Sequence, residues 1–287
     1  MNLWQKTRTT LEMIKWEHSI FALPFALTGA VLAASGWPTP WQLCWIVACM
    51  VLARSAGMDF NRWADADLDA ANPRTAMRAI PAGLLSRTFV GWFTLICSAL
   101  FVLACSQLNR LTLLLSPIAL GVVLAYSYAK RFTRWSHLIL GLSLGIAPSA
   151  AWIAVRGTLD PRIIVLTAIV LCWVGGFDML YACQDAEHDR SAGLKSLPAA
   201  IGIAGAFKLA RALHLIMLAL SIWLIHLFAL GPIAWVGLAI VAALLFYEHS
   251  IISPRDLSRM NAAFFTLNGY ISIVFFLFIS TDLLHRR

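Results

Sequence analysis

An apolar stretch of the chain is followed directly by the sequence Asn61-Arg-Trp-Ala-Asp65-Ala-Asp-Leu-Asp69. Its carboxylates recur at every fourth residue, and an amide precedes them at the same interval. On a helix, positions i, i+4 and i+8 stay close to one face, with about 6 Å of rise between neighbours. The stretch therefore predicts a column of oxygen ligands at the end of an apolar helix.

A second column with the same spacing is predicted near residue 180, in Tyr181-Ala-Cys-Gln-Asp185-Ala-Glu-His-Asp189. One column would bind a cation weakly, whereas two facing columns can hold Mg²⁺ ions that carry a diphosphate between them. The remaining acids, Asp67, Asp178 and Glu187, lie off these columns and carry less weight. Asp178 stays a possible ligand, because it precedes Asp185 by seven residues and so lies near the same helical face.

The rest of the chain has the composition of an integral membrane protein. Of its 287 residues, 60% are hydrophobic and only 13% are charged, and the mean hydropathy is +0.78. These values lie outside the range of soluble domains. Nine apolar runs have about the length that a bilayer core requires, at 18–36, 41–60, 88–108, 111–129, 136–155, 162–183, 210–230, 232–250 and 264–284. The sequence predicts an all-α membrane protein with nine transmembrane helices and a single domain over residues 1–287.

The distribution of Lys and Arg predicts the orientation. With the N-terminus in the cytoplasm, sixteen of these residues fall in cytoplasmic segments, five fall outside and one, Arg54, falls within a span. This bias follows the positive-inside rule and places both acidic motifs, with the polar stretches 61–87 and 184–209, on the cytoplasmic side. The net charge of +8 is then mainly a topology signal. Because the basic residues are spread over short loops, no nucleic-acid partner is expected.

The acidic columns supply the candidate catalytic residues Asp65, Asp69, Asp185 and Asp189. Together with Asn61, these are also the candidate metal ligands. Carboxylates at membrane depth are costly and usually functional, and ligands that are all hard oxygens favour Mg²⁺ over Zn²⁺. The alternative is that each acid is a solvated charge just beyond a helix end.

Basic residues near the columns are candidates for binding a diphosphate. Arg74 and Arg78 follow the first column closely, and Lys130 and Arg131 end the fourth apolar run. Arg suits bidentate phosphate contacts and Lys suits point-charge contacts. The alternative is that these residues only anchor the cytoplasmic loops.

Arg54 is predicted to lie on the same helical face as Asn61, seven residues earlier and about 10 Å deeper. An intramembrane Arg needs an anionic partner. That partner is either a structural acid, Asp59 or Glu17, or the carboxylate of a substrate.

The two motifs resemble those of the UbiA-type intramembrane prenyltransferases. Arg54-Ser-Ala-Gly before the first motif, Arg74-Thr-Ala-Met-Arg78 after it and the intervening Lys130-Arg131 are also similar to that family, and the similarity covers essentially the whole chain. The resemblance implies a bundle of nine helices around a central cavity.

The resemblance also implies Mg²⁺-dependent transfer of a polyprenyl group from its diphosphate to an acceptor that is usually aromatic. Arg54 and Tyr181 would contact this acceptor, and membrane lipid would surround the bundle. The nearest subgroup is similar to the 4-hydroxybenzoate polyprenyltransferases, and the stretches 12–18 and 21–24 resemble the version of the futalosine route to menaquinone. Arg62 stands where 4-hydroxybenzoate enzymes usually have Asp. The expected location is the bacterial inner membrane, with the active site facing the cytoplasm.

Two alternatives remain at this point. Other acceptors, such as haem, a chlorophyllide, a lipid or a phosphoribose donor, would suit the same site. A cation channel or transporter would explain the carboxylates, but Arg74, Arg78 and Lys130 beside them would repel its ion.

Overall fold

The computed structural model describes residues 3–14 and 21–286, and within these ranges the backbone is almost entirely helical. The helices are α1 Leu3–Ile14, α2 Leu23–Ala34, α3 Pro40–Ala64, α4 Ala66–Ala71, α5 Arg87–Ser106, α6 Arg110–Ala125, α7 Ala129–Phe132, α8 Ser136–Arg156, α9 Ile163–Ala182, α10 Ala186–Ser191, α11 Leu197–Leu227, α12 Pro232–Ile251 and α13 Asn268–His285. Single 3₁₀ turns join α6 to α7 and α9 to α10, and a π-helical turn, Ala262–Leu267, leads into α13. The all-α prediction is confirmed.

Eight helical segments of the described chain are long and apolar enough to cross a membrane, and they match the predicted spans two to nine. The first predicted span, 18–36, falls on α2, which has only 12 residues. A helix of that length rises about 18 Å, whereas a bilayer core is about 30 Å thick. Residues 15–20 lie outside the described ranges, so the ninth span and the orientation of the N-terminus stay predictions.

Helix α11 begins earlier than the sequence predicted. The apolar run was expected at 210–230, after a polar stretch at 184–209, but the helix starts at Leu197. Ser196 caps it by accepting a hydrogen bond from the amide of Ala199 at 3.4 Å. Gly202 then interrupts it with φ 77° and ψ 161°, a conformation that only glycine adopts readily. The connection between the second acidic motif and α11 is therefore shorter than predicted.

The core lies around α9, where Leu166, Ile169, Val170, Trp173 and Val174 are all fully buried. Helix α8 approaches α9 closely through two glycines. A Cβ atom at Gly145 would lie 2.8 Å from the carbonyl oxygen of Thr167, and one at Gly141 would lie 2.5 Å from that of Leu171. Small residues at such crossings allow helix backbones to pack directly.

A cavity of about 1110 Å³ lies beside α9, with further walls from α2, α3, α6 and α8. Its walls are apolar over most of their length. Both acidic motifs line the cavity. They lie at the same end of it, because Asn72 and Arg74, which follow the first motif, both donate hydrogen bonds to Asp185 of the second. The fold thus places two polar motifs, far apart in sequence, around one apolar chamber.

Candidate active site

The first acidic column is helical, as its spacing predicted. The amide of Asp65 donates to the carbonyl of Asn61 at 2.9 Å, and that of Asp69 donates to the carbonyl of Asp65 at 2.7 Å. The predicted span ended at residue 60, but α3 continues to Ala64, so Asn61 lies inside the helix. Asp65 is 3% exposed and Asp69 is 4% exposed. These two acids are therefore not solvated charges beyond a helix end.

The second column lies where α9 changes its geometry. The helix tightens into a 3₁₀ turn at Cys183–Asp185 and continues as α10. Asp189 is buried and lies close to Ser196, the residue that caps α11. The side chain of Asp185 is 18% exposed and faces the cavity. Both carboxylates therefore line the cavity, and Asp189 also lies next to the start of α11.

The basic residues predicted to bind a diphosphate are paired with these acids. Lys130 Nζ lies 3.0 Å from Asp65 Oδ2, and Arg78 Nη1 donates to Asp69 Oδ1 at 2.6 Å. Arg131 Nη2 donates to Asp65 Oδ1 at 3.3 Å. It also donates to the carbonyl oxygen of Ala64 at 2.5 Å. Anchoring of loops does not explain this arrangement, because each cation contacts a carboxylate of the first column.

Arg74 reaches the second column instead. Its Nε donates to Asp185 Oδ1 at 2.8 Å, and its Nη2 donates to Asp185 Oδ2. Its Nη1 donates to the hydroxyl of Tyr181 at 3.3 Å. Burial lowers the pKa of Arg74, but the hydrogen bonds and charge of Asp185 and Tyr181 outweigh it, so that pKa lies above its ordinary value. The guanidinium stays charged and links the loop after α4 to the end of α9.

Of the predicted site residues, all but Arg131 line the cavity. Arg131 lies behind Asp65, where it stacks on the ring of Tyr128 with its Cζ 4.8 Å from the centroid. In this structure Arg131 therefore supports Asp65 and the end of α3. A direct contact with phosphate stays a prediction for this residue.

The donor set fits Mg²⁺ that binds together with phosphate. In the described part of the chain, no three His, Cys, Asp or Glu side chains converge as a ready-made metal cage. Asp69 Oδ2, however, is buried and has no hydrogen-bond partner, so it is free to bind a cation. Mg²⁺ is usually held by one or two carboxylates plus substrate phosphates, and dedicated all-protein cages are uncommon. Asn61 is less available, because its Oδ1 accepts a hydrogen bond from Arg62 at 3.2 Å.

Arg54 lines the cavity from α3, and its Nε is buried without a hydrogen-bond partner. Of the two acids expected as structural partners of Arg54, only Asp59 lies in the described part of the chain. Asp59 does not bind it, since both carboxylate oxygens of Asp59 also have no hydrogen-bond partner. The other acid, Glu17, lies outside the described residues. Arg54 therefore offers donor capacity to the cavity.

The model of the UbiA prenyltransferase family matches residues 22–276 of the chain. The chain belongs to the UbiA prenyltransferase family. It is accordingly an enzyme, a polyprenyltransferase, and the resemblance noted in the sequence is confirmed.

Individual UbiA relatives agree with this assignment. A 4-hydroxybenzoate octaprenyltransferase of Vibrio cholerae serotype O1 is 32% identical over 277 residues, 93% of this chain and 95% of the relative. One from Cupriavidus necator is 33% identical over 242 residues, 82% of each chain. The apo UbiA homolog from Aeropyrum pernix K1 has a TM-score of 0.85 and 34% identity, covering 93% of this chain and 98% of its own. A UbiA homolog from Archaeoglobus fulgidus, bound to DMAPP and Mg²⁺, shares the fold, with a TM-score of 0.75 and 20% identity over 97% and 99% of the two chains.

The structure of this UbiA family member also places polar residues in the site that the sequence did not indicate. Asn72 Nδ2 donates to Asp185 Oδ1 at 3.1 Å, so the turn before Arg74 contacts the second motif directly. The position of Asn72 in an Asn-Pro-Arg turn, between the first column and Arg74, was the sequence feature that could have indicated this role. His137 and Tyr126 also line the cavity. His137 stood at the start of an apolar run, where nothing in the sequence distinguished it from a packing residue.

Proposed function

We propose that the enzyme transfers a polyprenyl group from polyprenyl diphosphate to an aromatic acid, in a Mg²⁺-dependent step of quinone biosynthesis. The observation that carries this proposal is the polarity of the cavity. Paired acids and cations line one end, and an apolar chamber extends from it to Arg54, whose Nε has no hydrogen-bond partner among the described residues. A diphosphate suits the charged end, an isoprenoid chain suits the apolar walls, and a carboxylate suits Arg54.

In the proposed complex, Asp65, Asp69, Asp185 and Asp189, with Asn61, would hold Mg²⁺. The metal would neutralise the charge of the diphosphate and so make it a better leaving group.

The protein's cations would then exchange their carboxylate partners for the phosphate oxygens. Arg74 and Arg78 offer planar guanidinium groups, and Lys130 offers a compact charge. They would stabilise the negative charge that grows on the diphosphate as the allylic C–O bond breaks. The apolar walls would keep water away from the allylic cation left behind.

Arg54 would orient the acceptor by binding its carboxylate in the apolar part of the cavity, where such a pair is stronger than in water. Tyr181, which accepts a hydrogen bond from Arg74 at the end of α9, would contact the acceptor near the diphosphate. The names of the bacterial relatives support a hydroxybenzoate-like acceptor. The stretches 12–18 and 21–24 favour the menaquinone branch, and Arg62 argues against 4-hydroxybenzoate itself. We place the enzyme in the bacterial inner membrane, with this site facing the cytoplasm.

The test is turnover of labelled farnesyl diphosphate by the detergent-purified enzyme, with Mg²⁺ and a panel of hydroxylated benzoic and naphthoic acids. Prenylated product detected by mass spectrometry for at least one acid supports the proposal. If product forms only with haem, a chlorophyllide or a phosphoglycerol lipid, the acceptor belongs to that class and is not an aromatic acid. Cation flux into vesicles without any transfer would contradict an enzymatic function for the site.

A further inference from the structure

A histidine–aspartate pair lies in the cavity, outside the two acidic columns. His137 is in the first turn of α8, and its Nδ1 lies 2.7 Å from Asp178 Oδ2 on α9. Their side chains are 6% and 22% exposed, and both line the cavity. A carboxylate can only accept a hydrogen bond, so Nδ1 carries the proton in this contact and a neutral ring leaves Nε2 as the acceptor.

The free ring nitrogen is the informative atom. His137 Nε2 is buried and has no hydrogen-bond partner in the described structure. A pair that only ties two helices together would be expected to satisfy both ring nitrogens, because buried polar atoms are nearly always hydrogen bonded. The ring is therefore held by Asp178 in one tautomer, with its basic nitrogen left available. A metal ligand role is unsupported, since no third ligand converges on it in residues 3–14 and 21–286.

The pair lies at the depth where an acceptor would bind. Asp178 precedes Asp185 by seven residues on α9, which places it two turns, about 10 Å, further into the bundle. Arg54 precedes Asn61 by the same interval on α3. Arg54, Tyr126, His137 and Asp178 all line the same cavity, so these groups share one chamber. An aromatic acid in this chamber would direct its carboxylate to Arg54 and its hydroxyl to the His137–Asp178 pair.

We propose that His137 is the catalytic base that accepts the hydroxyl proton of the aromatic acceptor, and that Asp178 positions its ring. This inference rests on the proposed function, because it requires a hydroxylated aromatic substrate. A phenolate ring carbon is a far better nucleophile than that of the neutral phenol. General base catalysis of this kind contributes about 10²–10⁴-fold to rate.

The proposed transfer conserves protons and electron pairs. The acceptor's O–H bond breaks and its proton moves to Nε2, while the oxygen's electron density passes into the ring. A ring carbon forms the new C–C bond with C1 of the prenyl group, whose C–O bond has broken with its electron pair on the diphosphate. The ring C–H bond then breaks, its electron pair restores aromaticity and its proton leaves with the diphosphate. The product's oxygen recovers the proton from Nε2, which returns His137 to its starting state.

The experiment compares His137→Ala, His137→Gln and Asp178→Asn with the wild-type enzyme and with His226→Ala, an exposed histidine on α11. The acceptor is whichever aromatic acid the wild-type enzyme prenylates. We expect kcat for transfer to fall about 10²–10⁴-fold in both His137 variants. Binding of labelled farnesyl diphosphate, measured by equilibrium dialysis, should be unchanged. Added imidazole should restore activity to His137→Ala but not to Asp178→Asn, and His226→Ala should match the wild type.

Three outcomes would overturn the inference. A His137→Gln enzyme with wild-type kcat shows that no base is needed at this position. Loss of donor binding and of the thermal transition in detergent, with no rescue by imidazole, assigns the pair to the fold. Failure of the wild-type enzyme to prenylate any aromatic acid refutes the proposed function, and the base with it. The first two outcomes leave the proposed function intact, so the two failures are distinguishable.

Discussion

Arg74 binds both carboxylate oxygens of Asp185, a residue 111 positions later in the chain. This contact joins the loop that follows the first acidic motif to the end of the second. It gives the two motifs a fixed relationship before any substrate is present. The same guanidinium contacts Tyr181, with its Cζ 5.4 Å from the ring centroid, so one side chain contacts two of the three polar residues of the second column.

Replacement of a column carboxylate should remove turnover and leave the fold intact. Asp185→Asn keeps the size of the side chain and a hydrogen-bonding oxygen, but it weakens the affinity for a divalent cation. We expect kcat/KM to fall more than about 100-fold, which corresponds to about 2.7 kcal/mol of transition-state stabilisation. The measurement is product formation at saturating Mg²⁺, alongside a melting curve in detergent. Wild-type activity in Asp185→Asn would show that the second column is not part of the site.

Activity should require a divalent cation with a preference for hard oxygen ligands. Mg²⁺ and Mn²⁺ should support turnover, and Zn²⁺ should be poor, because carboxylate and amide oxygens dominate the predicted donor set. The check is a titration of each chloride salt into enzyme stripped with EDTA. Undiminished product in excess EDTA would contradict the assignment of the acids to a metal.

Arg54 should affect the acceptor more than the donor. Arg54→Lys keeps the positive charge but loses the planar fork that matches a carboxylate. Truncation of one partner of a buried ion pair costs about 2–5 kcal/mol, so Arg54→Ala should raise the acceptor KM by at least about 30-fold, with a smaller rise for Arg54→Lys. Both KM values are measured separately. If donor and acceptor KM rise equally and the melting temperature collapses, Arg54 belongs to the fold.

The α8–α9 contact should depend on the absence of a side chain at Gly145. Gly145→Ala places a methyl group 2.8 Å from the carbonyl oxygen of Thr167, and overpacking of this kind costs about 1–3 kcal/mol. We expect a lower melting temperature in detergent. Gly121→Ala on α6 is the matched control, because a Cβ atom there meets nothing within 4 Å. Equal melting temperatures for the two variants would show that the helices separate easily at Gly145.

The parts of the molecule that sequence could predict are those set by short-range periodicity. The four-residue spacing from Asn61 to Asp69 predicted a helical column, and the backbone hydrogen bonds of that column confirm it. Hydropathy predicted eight of the spans, because a bilayer imposes a minimum apolar length on each helix. These features need no knowledge of which helices are neighbours.

The contacts that sequence could not predict all depend on tertiary packing. His137 and Asp178 are 41 residues apart on different helices, and only the close approach of α8 and α9 brings them together. The pairing of Lys130 with Asp65 and of Arg74 with Asp185 likewise follows from how the helix ends converge. The early start of α11 was missed for a local reason, because a capped first turn before Gly202 was hidden in a polar stretch.

The ion pairs of the substrate-free site have a consequence for how ligands enter it. Asp65, Asp69 and Asp185 each already hold a cation of the protein. A metal ion that bound alone would take the acids away from those cations, and a diphosphate that bound alone would take the cations away from the acids. Either event leaves partly buried charges without a partner, which costs free energy. When the two arrive together, every broken pair is replaced by a new one. If the proposed function holds, the metal and the diphosphate should each raise the affinity of the site for the other by the same factor.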